Sequence, residues 1–160
     1  MSDKTTVAPW DEGGRSTSLK KDINGANLIS EVKVLIESVG DIVAARQQGR
    51  DLALRSGFTQ TESTLIATAI SELARNIVLY AKSGEMTLGL VNNDDHNGII
   101  IIACDQGPGI AEVQRALMGG YSTSGGLGLG LSGVRRMVDE FDVRTKPGEG
   151  TMVTATKWRR

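Results

Sequence analysis

The sequence predicts a two-layer α+β fold, with helices on one face of a mixed, mostly antiparallel sheet. Three observations predict it: one long amphipathic helical stretch, apolar β-branched runs joined by short polar turns, and helices combined with strands that are mostly hairpin-connected. The 160 residues suffice for one core, because a domain of about 150 residues buries roughly 70% of its unfolded surface.

Residues 1–27 are rich in Ser, Thr, Lys, Asp and Gly and poor in large apolar side chains, so they are expected to form a flexible tail ahead of one domain over 28–160. From Leu28 to Glu37 the partly alternating Ile29, Val32, Val34 and Ile36 suggest a strand. Asp41 reads as the N-cap of a helix from Ile42 to Arg55, closed by Gly57. Thr59 and Glu62 have capping-box spacing before the central helix, about Gln60 to Ala81, whose apolar face carries Leu65, Ile66, Ala69, Ile70, Leu73, Ile77 and Tyr80. Ser83-Gly84 ends that helix. Met86–Val91 and Ile99–Cys104 then form a hairpin across the polar turn Asn92–Gly98. A short helix is expected near Ala111–Met118 and another from about Leu131 to Glu140. Strands near Phe141–Thr145 and Thr151–Trp158, joined by the turn Lys146–Gly150, complete the chain.

Composition narrows the function. A net charge of −1 with interspersed signs offers no one-signed field for nucleic acid or an anionic membrane, so neither is expected as a partner. No apolar run approaches the roughly 20 residues of a membrane span, and Met1–Arg15 lacks the apolar core of a signal peptide. The single cysteine, Cys104, sits in an apolar run and excludes an intramolecular disulfide, which fits a reducing cytoplasm. Many of the 20 glycines crowd between Gly107 and Gly133, where the backbone is expected to approach a ligand closely.

Four groups of residues carry chemistry. Glu72 and Asn76 lie four apart on the central helix, hence side by side, at the edge of its apolar face. An isolated pair of this kind is also what a solvent boundary presents, with Glu72 against Arg75 and Asn76 against backbone. Asp105-Gln106-Gly107-Pro108-Gly109 follows an apolar strand: a carboxylate there can accept from an amine such as the exocyclic amino group of adenine, with glycines turning the chain beside a flat ligand. The same residues also make ordinary turns. Ser122-Thr123-Ser124-Gly125-Gly126-Leu127-Gly128-Leu129-Gly130-Leu131 runs into a helix and offers backbone N–H groups, hydroxyls and a helix N-terminus to phosphate. It is neither a P-loop nor a dinucleotide fingerprint, lacking Gly-Lys-Ser/Thr and a strand leading into it. Gly150-Thr151 opens the last strand and gains meaning only beside the other three.

In this order and spacing, the four groups resemble the ATP-binding (Bergerat) fold of the GHKL superfamily, which includes type II topoisomerases, heat-shock chaperones, histidine kinases and mismatch-repair ATPases. The resemblance implies that Glu72 is the general base and Asn76 the Mg²⁺ ligand, and that Asp105 recognises adenine in a pocket shaped by Gly107, Gly109 and Ile110. It further implies that Gly126, Gly128 and Gly130, with their neighbours from Ser122 to Leu131, line the triphosphate of ATP, and that Thr151 supports the adenine end. Glu72-Leu73-Ala74-Arg75-Asn76, the Asp105–Ile110 run, Tyr121–Gly128, Asp41–Gln47 and the Lys157-Trp158 ending are similar to the small anti-sigma-type serine kinases. That closer resemblance covers about Glu31 to Arg160. It implies a protein serine/threonine kinase of stressosome-like partner switching, with a STAS-domain substrate and a PP2C-type phosphatase as partners, and it leaves monomer or homodimer open. Arg75 is placed either at phosphate or substrate, or in a surface ion pair. Rival readings are an anti-sigma kinase that sequesters a sigma factor, a histidine-kinase fragment, and a nucleotide-gated switch without turnover. The one histidine, His96, falls in a polar turn, and no phosphoacceptor helix pair precedes the domain.

Overall fold

The computed structural model describes residues 5–8, 25–110 and 130–160. Strands β1 (Thr5–Ala8), β2 (Asn27–Ile36), β3 (Gly84–Asn92), β4 (Asn97–Asp105), β5 (Glu140–Lys146) and β6 (Gly150–Trp158) form one sheet in the order β1-β5-β6-β4-β3-β2. β1 runs parallel to β5 and every other pair is antiparallel. Helices α1 (Val39–Arg55), α2 (Gln60–Asn76) and α3 (Gly130–Met137) pack on one face of the sheet, giving the two-layer α+β arrangement the sequence predicts. Thr5–Ala8 of the expected tail contribute the parallel edge strand.

Local chemistry sets the helix boundaries. Ser38, not Asp41, is the N-cap of α1: its hydroxyl accepts from the Asp41 N–H, while the Asp41 carboxylate accepts from the Ser38 N–H at 3.1 Å. Asp41 therefore fills the third helical position of a capping box, and the helix starts earlier than its Asp alone suggests. Hydrogen bonds from the Glu37 N–H and from Ser38 hold the Asp41 carboxyl below its ordinary value. In α2 the predicted box forms, with Thr59 Oγ1 accepting from the Glu62 N–H at 3.1 Å and Glu62 Oε1 from the Thr59 N–H at 3.0 Å. The helix extends to Ala81 as expected, but Ile77–Ala81 widen into a π turn that Lys82, at φ 70°, terminates.

The main core joins Ile66, Ile70, Leu73 and Ile77 to Met86, Leu88, Ile99, Ile101 and Val153 of the sheet. Each such side chain contributes roughly 1.5–3 kcal/mol on burial, so α2 is firmly seated, and polar groups along its edge inherit fixed positions. On the opposite sheet face, Ala26, Val91, Ile100, Ile102 and Met152 form a second cluster, with Leu28, Cys104 and Trp158 partly buried against it. β4 is thus buried on both faces, which explains its unbroken apolar run from Ile99 to Ala103. At the chain's end the Trp158 N–H donates to Asp139 Oδ2 at 2.7 Å and its indole Nε1 to Glu140 Oε2 at 2.9 Å, tying β6 to the start of β5.

Candidate functional site

Asp105 ends β4, and the sheet register places it between Gly84 of β3 and Thr151 of β6. Its carboxylate Oδ1 accepts from the Gly107 N–H at 2.9 Å. Burial raises the Asp105 carboxyl above its ordinary value, opposed by hydrogen bonds from the Gly107 and Thr151 N–H groups. A carboxylate held by backbone donors and withdrawn from water is poised to accept from an uncharged amine, because that bond offsets part of the desolvation cost.

The loop after Asp105 is seated on two supports. Gly107 lies against Ala81 at the end of the π turn, where a Cβ on Gly107 would stand 2.6 Å from the Ala81 Cβ. Gly109 lies against the backbone of Lys146 and Pro147, and the Gly148 N–H donates to the Pro108 carbonyl at 2.7 Å. Gly150, at φ 138°, crosses the Asp105 backbone so closely that a Cβ would overlap the Asp105 carbonyl. Thr145 closes the arrangement: its Oγ1 accepts from the Ile110 N–H at 2.9 Å, donates to the Gly150 carbonyl at 3.1 Å, and lies 3.0 Å from Thr151 Oγ1. Asp105, Gly107, Gly109, Ile110 and Thr151, which are dispersed in the sequence, thus meet where β4, β6 and the β5–β6 turn converge.

Through Ala81, this loop is joined to the helix that carries Glu72, Arg75 and Asn76. Glu72 is only 5% exposed, although it has no hydrogen bond or ion pair with a described residue. Its burial sets aside the solvent-boundary reading. The Glu72–Arg75 pair of that alternative reading is not formed, and Arg75 Nε is buried without a partner among the described residues. Asn76 is half-buried and makes no side-chain capping bond with the turn that follows. A buried carboxylate and a guanidinium nitrogen left unpartnered by the described residues at one helix edge are costly unless another part of the chain or a bound group completes them.

Gly130 opens α3 at φ 49°, and Leu131 is buried in the core. Ser122, Thr123, Ser124, Gly125, Gly126, Leu127, Gly128 and Leu129, like the helix expected near Ala111–Met118, lie outside the described residues. Two positions escaped sequence reasoning, Thr145 and Ala81. Thr145 could have been found from its symmetry with Thr151, since the two threonines flank the Lys146–Gly150 turn. Nothing local marks Ala81, whose role exists only through its contact with Gly107.

The donor set accommodates a nucleotide: a buried acceptor for an amino group, close-approach glycines beside it, and unpartnered polar groups on the adjoining helix. Among the described residues no three His, Cys, Asp or Glu side chains gather as a metal cluster. No helix of the described residues is long and apolar enough to cross a membrane.

The chain belongs to the histidine kinase-, DNA gyrase B-, and HSP90-like ATPase family, which residues 61–159 match. Within that family it is an ATP-using enzyme, a protein serine/threonine kinase of the partner-switching kind. It is 50% identical over 127 residues to the serine/threonine-protein kinase RsbT of Bacillus subtilis (strain 168), spanning 79% of this chain and 96% of that one. It is 31% identical over 138 residues to an anti-sigma F factor of Caldanaerobacter subterraneus, spanning 82% and 94%. Two solved structures share the fold. The RsbU and RsbW domains of a Mycobacterium tuberculosis protein align with TM-score 0.58 and 18% identity, over 82% of this chain and 33% of that one. The Pseudomonas aeruginosa SiaB–SiaC complex aligns with TM-score 0.57 and 12% identity, over 88% and 96%.

Proposed function

We propose that this chain phosphorylates a seryl or threonyl hydroxyl of a STAS-domain protein, of the RsbS or RsbR kind, in a bacterial stress-signalling partner switch. The released kinase then binds and activates a PP2C-type phosphatase of the RsbU kind, in the cytoplasm. The observation that carries this reading is Glu72: a carboxylate 5% exposed, without a partner among the described residues, one helical turn before Asn76.

Asp105 accepts from the adenine amino group, and Gly107, Gly109, Ile110 and Thr151 shape the flat pocket around the base. Bound ATP with Mg²⁺ supplies the phosphoryl group and neutralises its charge. Asn76 offers its amide oxygen as the metal ligand, and the residues from Ser122 to Leu131 line the phosphates. Glu72 orients the incoming hydroxyl and takes its proton as the new O–P bond forms and the bond between the γ-phosphorus and the β–γ bridging oxygen breaks. Positioning and charge neutralisation supply most of the acceleration, so one base and one metal ligand suffice. Arg75, with its Nε unpartnered among the described residues, stabilises phosphate charge or contacts the substrate.

The test is transfer of label from ATP, with Mg²⁺, to a STAS-domain protein of the same genome. Glu72→Gln is expected to lower transfer by about 10²- to 10⁴-fold while nucleotide binding persists. Unchanged transfer by that variant removes Glu72 from the mechanism. The second reading, favoured by the anti-sigma F factor similarity, is a kinase that also sequesters a sigma factor. A purified sigma factor that co-elutes with the chain would move the assignment there.

A further inference from the structure

The face of the sheet turned away from the helices is closed to water. The described helices all pack on the other face, so no described element lies over this one. Ile100 there is 0% exposed, in part because Leu28 and Trp158 lean in beside it over Gly89 and Gly98. The next row along the strands is built from small side chains: Thr87, Ile102 and Thr154 lie side by side and are 7%, 6% and 4% exposed. Threonines cannot hide an isoleucine from the side, and an uncovered face of an antiparallel sheet is ordinarily wet. Thr154 Oγ1 is also buried without a partner among the described residues, although water would reach it on an open face.

The course of the chain identifies the cover. β1 and β2 occupy opposite edges of the sheet and run in the same direction. From Ala8, level with Arg144, Met152 and Cys104, the chain must return to Asn27, level with Asn92 and Asn97. That diagonal is roughly 35 Å long, and the residues between Ala8 and Asn27 reach about 60 Å when extended. It crosses β6 near Thr154, β4 at Ile100 and β3 at Val91, all of them buried. Ala26, the last residue before β2, is itself buried in the outer cluster, so the chain enters β2 from this face. The other face is taken by the helix layer packed directly on the sheet. We propose that residues 9–24 dock on this face as a third layer, anchored by Trp10, Leu19 and Ile23, the three large apolar side chains of the segment. The segment lies ahead of the residues 61–159 that match the ATPase family, and it seals the apolar back of the two strands that carry Asp105 and Thr151.

Cys104, the one cysteine of the chain, is half-buried on this face and reports on the cover directly. The experiment follows its reaction with a thiol-reactive aromatic disulfide in the full-length protein, with circular dichroism verifying the fold of every variant. Trp10→Asp, and Leu19→Asp combined with Ile23→Asp, are expected to raise the rate about tenfold or more, because a charge at an apolar contact opens the layer. Ser16→Asp adds the same charge at a polar position of the segment and is expected to leave the rate unchanged. Trypsin gives a second reading: Arg15, Lys20 and Lys21 are expected to be cut slowly in wild type and quickly in Trp10→Asp. Labelling no faster in the anchor variants than in wild type, or a rise as large in Ser16→Asp, overturns the proposal. So does cleavage of wild type at Lys20 and Lys21 as fast as in an unstructured peptide of the same sequence. Cys104 protection that is lost on dilution yet indifferent to the three anchors would also overturn it, and would assign the face to a second copy of the chain.

Discussion

Gly107 rests directly on Ala81: a Cβ at Gly107 would stand 2.6 Å from the Ala81 Cβ and 2.9 Å from its Cα. The contact ties the Asp105 loop to the last turn of the helix that carries Glu72 and Asn76, so the group proposed to hold the base and the groups proposed to act at phosphate share one rigid support. The π turn at Ile77–Ala81 matters here, because such insertions re-aim a helix end and are frequent at functional sites.

Gly107→Ala forces a separation of loop and helix that a packed interface resists, at about 1–3 kcal/mol. The expected result is nucleotide binding weakened by about tenfold, read by calorimetry, with the far-ultraviolet spectrum unchanged. Ala81→Gly removes the opposing methyl group and is expected to recover part of that loss in the double variant, despite about 1 kcal/mol of helix cost of its own. A double variant as weak as Gly107→Ala alone would show that the contact is not what transmits the effect.

Gly150→Ala is expected to destabilise the whole fold. Its φ of 138° disfavours any side chain, and the added Cβ meets backbone, the Asp105 carbonyl and Gln106 Cα, which cannot rotate away. Strain and overlap together cost about 3 kcal/mol, which urea denaturation would read as a lower midpoint at constant slope. An unchanged midpoint would mean that the strand ends can separate freely.

Thr145→Val replaces a hydroxyl that serves the Ile110 N–H, the Gly150 carbonyl and Thr151 with a methyl group of the same shape. The half-buried Ile110 N–H and the Gly150 carbonyl lose their partner, at about 1–3 kcal/mol. Thr145→Ser keeps the hydroxyl and is expected to stay close to wild type in both stability and nucleotide affinity. Equal losses in the two variants would trace the effect to packing rather than to the hydrogen bonds.

The sequence carried the layer architecture and most element boundaries because these follow from local signals. The α2 capping box, the apolar periodicity of that helix and the polar Asn92–Gly98 turn each act within a few residues. The start of α1 was misplaced because Ser38 and Asp41 share one box, and an acidic residue suits both the cap and the third position. β1 could not be read from Thr5–Ala8, since it becomes a strand only through its pairing with Phe141–Arg144, far along the chain. At the site, Glu72 and Asn76 were conspicuous as polar residues at the edge of an apolar helix face, and Asp105 as a carboxylate directly after an apolar strand. Thr145 and Ala81 were not, because an ordinary threonine in a strand and an ordinary alanine in a helix acquire their roles from what the fold brings against them.

Asp105 also predicts a pH dependence. Burial raises its carboxyl above the ordinary value, so in the unliganded fold the ionised form is disfavoured relative to the unfolded chain. The sign follows: its destabilising contribution is present at neutral pH and is relieved as pH falls through the raised folded value, because the native state takes up the proton before the unfolded chain does. Nucleotide binding runs the opposite way, because an ionised carboxylate accepts from the adenine amino group more strongly than the neutral acid does. Affinity is therefore expected to fall as pH drops through the raised value, with about one proton taken up by the free protein. Asp105→Asn keeps an acceptor for the Gly107 N–H, so the unliganded fold is expected to be at least as stable as wild type at neutral pH, while affinity falls about 10- to 100-fold through loss of a charged acceptor. The nucleotide phosphates titrate as well, so the quantity to measure is the affinity ratio of wild type to Asp105→Asn by calorimetry between about pH 4 and 7. A ratio that shrinks toward one on acidification places the ionised Asp105 carboxylate at the base, and a constant ratio would remove it from recognition.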